Sequence, residues 1–178
     1  YRAGGCVSCR TGFTDSHVHF PTWALSKREV TLEGVSTLAE AIERVRSHPR
    51  RGEWIRGYGW RAAEWDEQPT ASALDVATGD IPTLLFSKDY HSAWLNSAAL
   101  AQADGDLQVE GGVVERDDAG RPTGILREES AWRFRARFAM PSEDDFVEAT
   151  REGLRIAAGR GVTAIHDKDG WLGAPGNF

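Results

Sequence analysis

The sequence predicts an α/β fold: the N-terminal part of a TIM-like (β/α)8 barrel, with about four βα units and an inserted β-hairpin. Strand-like and helix-like segments alternate along the chain, which favours parallel strands joined by right-handed crossovers. The first strand lacks the glycine-rich phosphate loop of an open dinucleotide-binding sheet. A complete barrel has eight strands in about 250 residues. We therefore expect residues 1–178 to form one partial barrel domain, with the C-terminal half of the barrel absent.

Local patterns place the individual elements. The four predicted barrel strands are residues 12–20, 54–60, 82–87 and 162–167. Helices are predicted where a capping residue precedes apolar positions at helical spacing, or where glycine ends such a run, over residues 38–45, 74–77, 96–100 and 142–158. The turn sequence 117–120 joins two short strands as a hairpin, which we take as an insertion over residues 112–127.

The composition indicates a globular protein with an acidic balance. The chain has 27 acidic and 21 basic residues, a formal net charge of −6 and 40% hydrophobic residues. This charge argues against nucleic acid or an anionic membrane as the main partner. No apolar run approaches the roughly 20 residues of a membrane-spanning helix. We expect a cytoplasmic protein that acts on a small molecule.

The cysteines form one Cys-x-x-Cys motif, Cys6 and Cys9. A zinc ribbon needs two such pairs, and a redox motif opens a helix after a strand. Because neither condition is met, a reduced pair without a special role is the favoured interpretation. A zinc- or redox-responsive protein is the alternative.

The strongest chemical signal is a pair of histidines at the end of the first predicted strand. His17 and His19 are two positions apart, so on a strand their side chains point to the same face and can share one metal ion. His91 lies just beyond a predicted strand and His166 at the end of another, where a barrel builds its active site. The pattern therefore predicts a metal site at this rim.

A metal held by two imidazoles needs a third protein ligand and an open position for water. The best-placed carboxylates are Glu128 and Asp167, each at the end of a predicted strand. We expect Asp167 to take part in catalysis. Lys168 could bridge two metals once carboxylated, although a solvated loop lysine is the favoured interpretation.

Five ordered segments resemble the metal-dependent amidohydrolase superfamily, and within it amidohydrolase family 3, the branch that includes N-substituted formamide deformylases. The likeness covers about residues 10–172. The segments that carry it are residues 12–19, 57–60, 86–97, 112–128 and 161–167.

This resemblance implies a barrel beside a small β-sandwich, with one or two divalent ions at the rim, most often zinc, with iron or manganese as alternatives. Carried over, His17 and His19 would be metal ligands and Glu128 a bridging carboxylate. His91 would contact the substrate carbonyl or the developing oxyanion. Trp60 would line the substrate pocket.

The expected function is hydrolysis of a non-peptide C–N bond, in an amide or formamide, by a metal-activated water. The family's later metal histidines and its catalytic aspartate lie on strands beyond the fourth. We therefore expect this chain alone to be inactive or weakly active. The alternative is a non-catalytic half-barrel that forms a homo-oligomer or joins the missing half, because an unclosed barrel exposes strand edges and an apolar face.

Overall fold

The computed structural model describes residues 12–103 and 107–168, so the interpretation of Cys6 and Cys9 concerns residues outside the described ranges. Within those ranges, no helix is both long and apolar enough to cross a membrane. The chain divides into two compact units. Unit 1 comprises Tyr1–Lys27 and Glu143–Phe178, and unit 2 comprises Arg28–Ser142.

The elements of the described residues are, in chain order, β1 (Phe13–Val18), α1 (Phe20–Ser26), β2 (Val30–Thr31), α2 (Leu38–Ser47), β3 (Ile55–Trp60), a short 3₁₀ helix (Ala62–Glu64), α3 (Ala71–Thr78), β4 (Thr83–Ser87), β5 (Ser92–Leu95), α4 (Ser97–Leu100), β6 (Gly112–Arg116), β7 (Pro122–Glu128), α5 (Glu129–Phe138), α6 (Glu143–Gly159) and β8 (Val162–Asp167).

Unit 1 contains a two-stranded parallel sheet, β1 with β8, and the helix pair α1 and α6. The two helices bury Ala24, Leu25 and Ala149 between them. They approach closely at Gly153, where a Cβ atom would lie 2.9 Å from the Cβ of Ala24. The absence of a side chain at Gly153 therefore allows the close approach of α1 and α6.

Unit 2 contains a six-stranded mixed sheet in the order β2-β3-β4-β5-β7-β6. β2, β3 and β4 are parallel, and β5, β7 and β6 continue the sheet with antiparallel pairing. All five residues of β4 are buried, as its continuous apolar run predicts. Leu85 joins one hydrophobic cluster while Leu84 and Phe86 join another, which shows that both faces of this sheet are covered.

The predicted series of four barrel strands in one sheet is wrong. β1 pairs directly with β8, whereas β3 and β4, the expected second and third strands, pair with each other in unit 2. After α1 the chain enters β2, which pairs with β3, and after β4 it makes a tight turn into the antiparallel β5 instead of a helical crossover. The predicted hairpin forms as β6 and β7, and β7 pairs with β5 in the same sheet.

The helices with local sequence signals form where they are predicted. In α2, Thr37 Oγ1 accepts a hydrogen bond from the Glu40 N–H at 3.1 Å. Glu40 Oε2 in turn accepts from the N–H of Ser36 at 3.1 Å, one residue before the N-cap whose N–H takes this place in a standard capping box. α1 and α5, in contrast, occupy segments for which no helix is predicted.

Candidate functional site

The histidine pair lies at the carboxyl end of β1 in unit 1. His17 is within β1, and His19 is the residue immediately before α1. Both are exposed, and their ring centroids are 5.7 Å apart with an interplanar angle of 67°. Two imidazoles bound to one zinc ion through N–Zn bonds of about 2.0–2.1 Å have centroids about 5 Å apart. The observed spacing therefore fits two ligands of a single divalent ion.

The end of β8 fixes the backbone on both sides of His19. Asp167 Oδ1 accepts a hydrogen bond from the N–H of Phe20 at 2.8 Å. The N–H of Lys168 donates to the carbonyl of Val18 at 2.8 Å. Asp167, predicted to be catalytic, is thus placed beside the histidine pair. Within residues 12–103 and 107–168, however, no three His, Cys, Asp or Glu side chains come together as a metal-binding group.

Unit 2 brings together two other predicted site residues, His91 and Glu128. His91 Nδ1 and Glu128 Oε2 are 2.8 Å apart, and the N–H of Glu128 donates to the carbonyl of His91 at 2.8 Å. The cause is the antiparallel register of β5 and β7, in which Ser92 lies opposite Arg127. Because His91 precedes Ser92 and Glu128 follows Arg127, the register sets these two residues face to face.

The backbone around this pair is strained. Among the described residues, the non-glycine residues with positive φ are Tyr90, at 62°, and Glu128, at 54°. Asp89 Oδ1 holds the turn by accepting from Ser87 Oγ at 2.5 Å and from the N–H of His91 at 3.1 Å. These bonds hold the pKa of Asp89 below its usual value. Asp89 and Tyr90 were not expected at the site, although an Asp two residues before His91 is a recognisable Asx-turn signal.

Because it faces a carboxylate, His91 Nδ1 carries a proton and donates a hydrogen bond to Glu128 Oε2. This hydrogen bond and the negative charge of Glu128 raise the pKa of His91 above 6.5. The pairing therefore stabilises the folded state below about pH 6.5. That contribution is lost as the pH rises through the pKa of His91 in the folded protein.

We expect the Glu128→Gln substitution to lower the pKa of His91 toward its ordinary value, because it removes the charge that favours the imidazolium. The measurement is an NMR titration of the imidazole C–H resonances. Glu129→Gln is the control, since Glu129 pairs with Arg133 at 3.1 Å. An unchanged His91 midpoint in Glu128→Gln would contradict the pairing.

Trp60, the expected pocket residue, lies in the core of unit 2. It is 4% exposed, its indole N–H donates to the carbonyl of Leu85 at 2.8 Å, and its ring contacts Trp65 and Trp94. Little of its surface is therefore accessible to a ligand in this structure. The contact of Trp60 with substrate stays a prediction.

The sequence matches the amidohydrolase family over residues 11–176. The chain belongs to this family. The prediction from the five sequence segments is thereby confirmed, and the amidohydrolase assignment covers both units.

The chain is also similar to several named proteins, two of which are named as a deformylase and an amidohydrolase. The chain is 34% identical over 163 residues to Protein LONG AFTER FAR-RED 3 of Arabidopsis thaliana, covering 88% of this chain and 28% of that protein. It is 34% identical over 130 residues to the N-substituted formamide deformylase of Arthrobacter pascens, covering 67% and 24%. The putative amidohydrolase YtcJ of Bacillus subtilis is 29% identical over 167 residues, covering 89% and 31%.

Two solved structures of metal-dependent hydrolases are similar in fold. An uncharacterized metal-dependent hydrolase from Pyrococcus furiosus superimposes with a TM-score of 0.67 at 27% identity, and one from Pyrococcus horikoshii with 0.69 at 25%. Both alignments cover 87% of this chain, and they cover 31% and 30% of the respective solved chains. The chain therefore spans about a third or less of the length of these relatives.

Proposed function

We propose that this chain is part of a metal-dependent hydrolase that cleaves the C–N bond of a non-peptide amide or formamide. The observation that carries the proposal is the imidazole pair of His17 and His19 in a chain of the amidohydrolase family. It is supported by two solved neighbours that are metal-dependent hydrolases and by a relative that is an N-substituted formamide deformylase.

His17 and His19 would hold the divalent ion, for which zinc is the first candidate and iron or manganese are alternatives. When bound, such an ion lowers the pKa of a coordinated water and polarises the substrate carbonyl. Asp167 supports this arrangement, because its bond to the N–H of Phe20 fixes the turn that carries His19. We also propose that Asp167 takes part in catalysis.

His91 would donate a hydrogen bond from Nε2 to the oxygen of the substrate carbonyl. Its Nδ1 is engaged by Glu128, and the same contact raises the pKa of the imidazole. A ring that stays protonated to higher pH is a better donor to a developing oxyanion. The resemblance also implies that Glu128 would be the bridging carboxylate of the metal site. In this structure its Oε2 atom contacts His91.

We further propose that β1 and β8 are neighbouring strands of a (β/α)8 barrel, with unit 2 inserted in the chain between them. The parallel pairing of these strands supports this proposal, as does the position of α6 directly before β8. A chain that holds two neighbouring strands of such a barrel would be part of a longer polypeptide that supplies the other strands.

The test is the metal content of the chain, purified without chelators or a histidine tag, measured by mass spectrometry. We expect close to one divalent ion per chain, and its loss when both His17 and His19 are replaced by alanine. His48→Ala is the matched control, because His48 ends α2 and its Nε2 lies 3.1 Å from the carbonyl of Arg28. Metal that persists in the double variant would contradict the proposed ligands. Amides and formamides are then screened with the same preparations.

A second candidate function is association without catalysis, either with another copy or with further barrel strands. It is favoured by the exposure of unit 1's sheet, in which every residue of β1 except Val18 is exposed and Phe13 retains 72% of its accessible surface. Absence of metal, together with concentration-dependent sedimentation of the same samples, would favour this candidate over the hydrolase.

A further inference from the structure

The last strand of unit 2's sheet lies at an edge. Among the described residues, β6 pairs with β7 alone, because it ends the order β2-β3-β4-β5-β7-β6. The strand at the opposite edge, β2, has two residues, whereas β6 has five and contains no proline. Short strands and prolines are common ways in which proteins protect a sheet edge from further pairing. β6 has neither, so its outward N–H and C=O groups need another form of protection.

The side chain of Gln108 supplies this protection. Its Oε1 accepts a hydrogen bond from the N–H of Val114 at 3.2 Å, and its Nε2 donates to the carbonyl of Gly112. Because these two backbone groups bond to Gln108, they point away from β7. A primary amide offers a donor and an acceptor, as a peptide group does. Gln108 therefore takes the hydrogen bonds that the backbone of an added strand would form.

The segment that carries Gln108 is anchored to unit 2 on both sides of this residue. Ser130 Oγ donates to the carbonyl of Leu107 at 3.0 Å, and the N–H of Gly112 donates to the carbonyl of Val109 at 3.0 Å. The side chain of Gln108 itself is exposed. Its amide can therefore leave the edge by rotation about side-chain bonds, while the backbone of the segment stays in place.

The edge that Gln108 covers is compatible with a second copy of itself. Charges on an edge strand often keep copies apart, but in β6 the single acidic and single basic residue, Glu115 and Arg116, offset each other. The other residues are a glycine and two valines, and β-branched side chains suit extended pairing. Val113 is 47% exposed, and a neighbouring strand would cover part of this surface. Two identical edges that run antiparallel pair around a two-fold axis.

We propose that the outer edge of β6 is a pairing surface for β6 of a second copy of this chain, and that the amide of Gln108 closes this surface. In the pair the two Val114 residues lie opposite each other, and the N–H of each donates to the Val114 carbonyl of the other copy. The pairing surface belongs to unit 2, whereas the exposed sheet of β1 and β8 belongs to unit 1. The inference requires neither a metal ion nor turnover, so it is independent of the proposed hydrolase function.

The test compares the full chain with Gln108→Met, whose side chain has a similar length but no amide. Sedimentation velocity at a series of concentrations measures association, and unit 1 is unchanged in both chains. We expect Gln108→Met to dimerise at about three- to tenfold lower concentration than the parent chain, the effect of removing a competing hydrogen bond. Gln102→Met is the control, since Gln102 is also exposed, and it should sediment as the parent chain does.

A second substitution locates the association. Val114→Pro removes the outward N–H, and proline is tolerated on an edge strand when its nitrogen faces away from the sheet. Gln108→Met/Val114→Pro should therefore sediment as the parent chain does. If circular dichroism shows that Gln108→Met does not fold, Gln108→Glu replaces it, because a carboxylate cannot donate to the Gly112 carbonyl. Association that is unchanged in the folded Gln108 variant, or that persists with Val114→Pro, would overturn the pairing surface.

Discussion

Replacing Asn96 with alanine is expected to unfold unit 2 under mild conditions, because this fully buried amide joins three segments of the chain. Its oxygen accepts hydrogen bonds from the N–H groups of Thr83, at 3.0 Å, and Ala99, at 2.9 Å. Its nitrogen carries two hydrogens and lies within hydrogen-bond distance of three oxygens, those of the Thr78 hydroxyl and of the Gly79 and Ile81 carbonyls. Alanine would remove all of these bonds, although the Thr78 hydroxyl still donates to the Leu74 carbonyl and the Ile81 carbonyl still accepts from the Thr83 hydroxyl.

Each buried polar group left unsatisfied costs about 1–3 kcal/mol. The N–H groups of Thr83 and Ala99 lose their acceptor, so the loss for Asn96→Ala is about 2–6 kcal/mol, a large part of the total stability of a typical domain. Urea unfolding followed by circular dichroism measures it. Thr37→Ala is the control, because Thr37 caps α2 through one side-chain bond, a contact worth about 1 kcal/mol. Similar unfolding midpoints for both variants would contradict this account of Asn96.

The second large effect is expected at Gly124, within β7. Its φ is +108°, and a Cβ atom there would lie 2.7 Å from the carbonyl oxygen of Leu95 and 2.8 Å from the backbone nitrogen of Ala71. Both neighbours are backbone atoms, which cannot rotate away. Gly124→Ala thus combines an unfavourable φ, at about 1–2 kcal/mol, with overpacking, at about 1–3 kcal/mol.

Gly120 provides a matched control for this substitution. Its φ is +79°, but nothing lies within 4 Å of the position that a Cβ would occupy. Gly120→Ala should therefore lose only the conformational contribution, and the difference between the two variants in urea unfolding isolates the steric one. Equal losses of stability would show that steric contact with Leu95 and Ala71 adds nothing to the destabilisation caused by Gly124→Ala.

Elements whose signals lie within their own residues could be predicted from the sequence. The capping residue Thr37, the turn over residues 117–120 and the apolar run of β4 each indicate one element without reference to the rest of the chain. The family resemblance was equally accessible. Part of this resemblance reflects the fold and not the chemistry, since Trp94 and Asn96, within the similar segment 86–97, are fully buried.

The pairing of strands could not be predicted, because it depends on a turn with unusual chemistry. β5 has four residues, too few to show a period, and the turn before it places Tyr90 at positive φ, where glycine or asparagine is expected. Because β5 is not recognised in the sequence, the antiparallel half of the six-stranded sheet cannot be predicted either. The contact between His91 and Glu128 was missed for the same reason, although both residues were candidates.

The proximity of the two histidines was predictable because they are two residues apart at the end of one strand, although β1 ends at Val18 and His19 lies just outside it. The support that Asp167 gives to this pair was not, since it requires knowing that β8 is the neighbour of β1. Sequence reasoning thus finds groups that are close along the chain. It finds groups that are close in space only where the topology is already known.

The discontinuity of unit 1 also sets the order in which the molecule is completed during synthesis. Chains fold from the N-terminus as they leave the ribosome, so β1 emerges early and must wait for β8 until all of unit 2 has been made. The bond between Phe20 and Asp167 joins residues 147 positions apart, a closure whose entropic cost grows with the logarithm of that separation. His17 and His19 are therefore synthesised before unit 2 and are held in their final geometry only after unit 2 has been made.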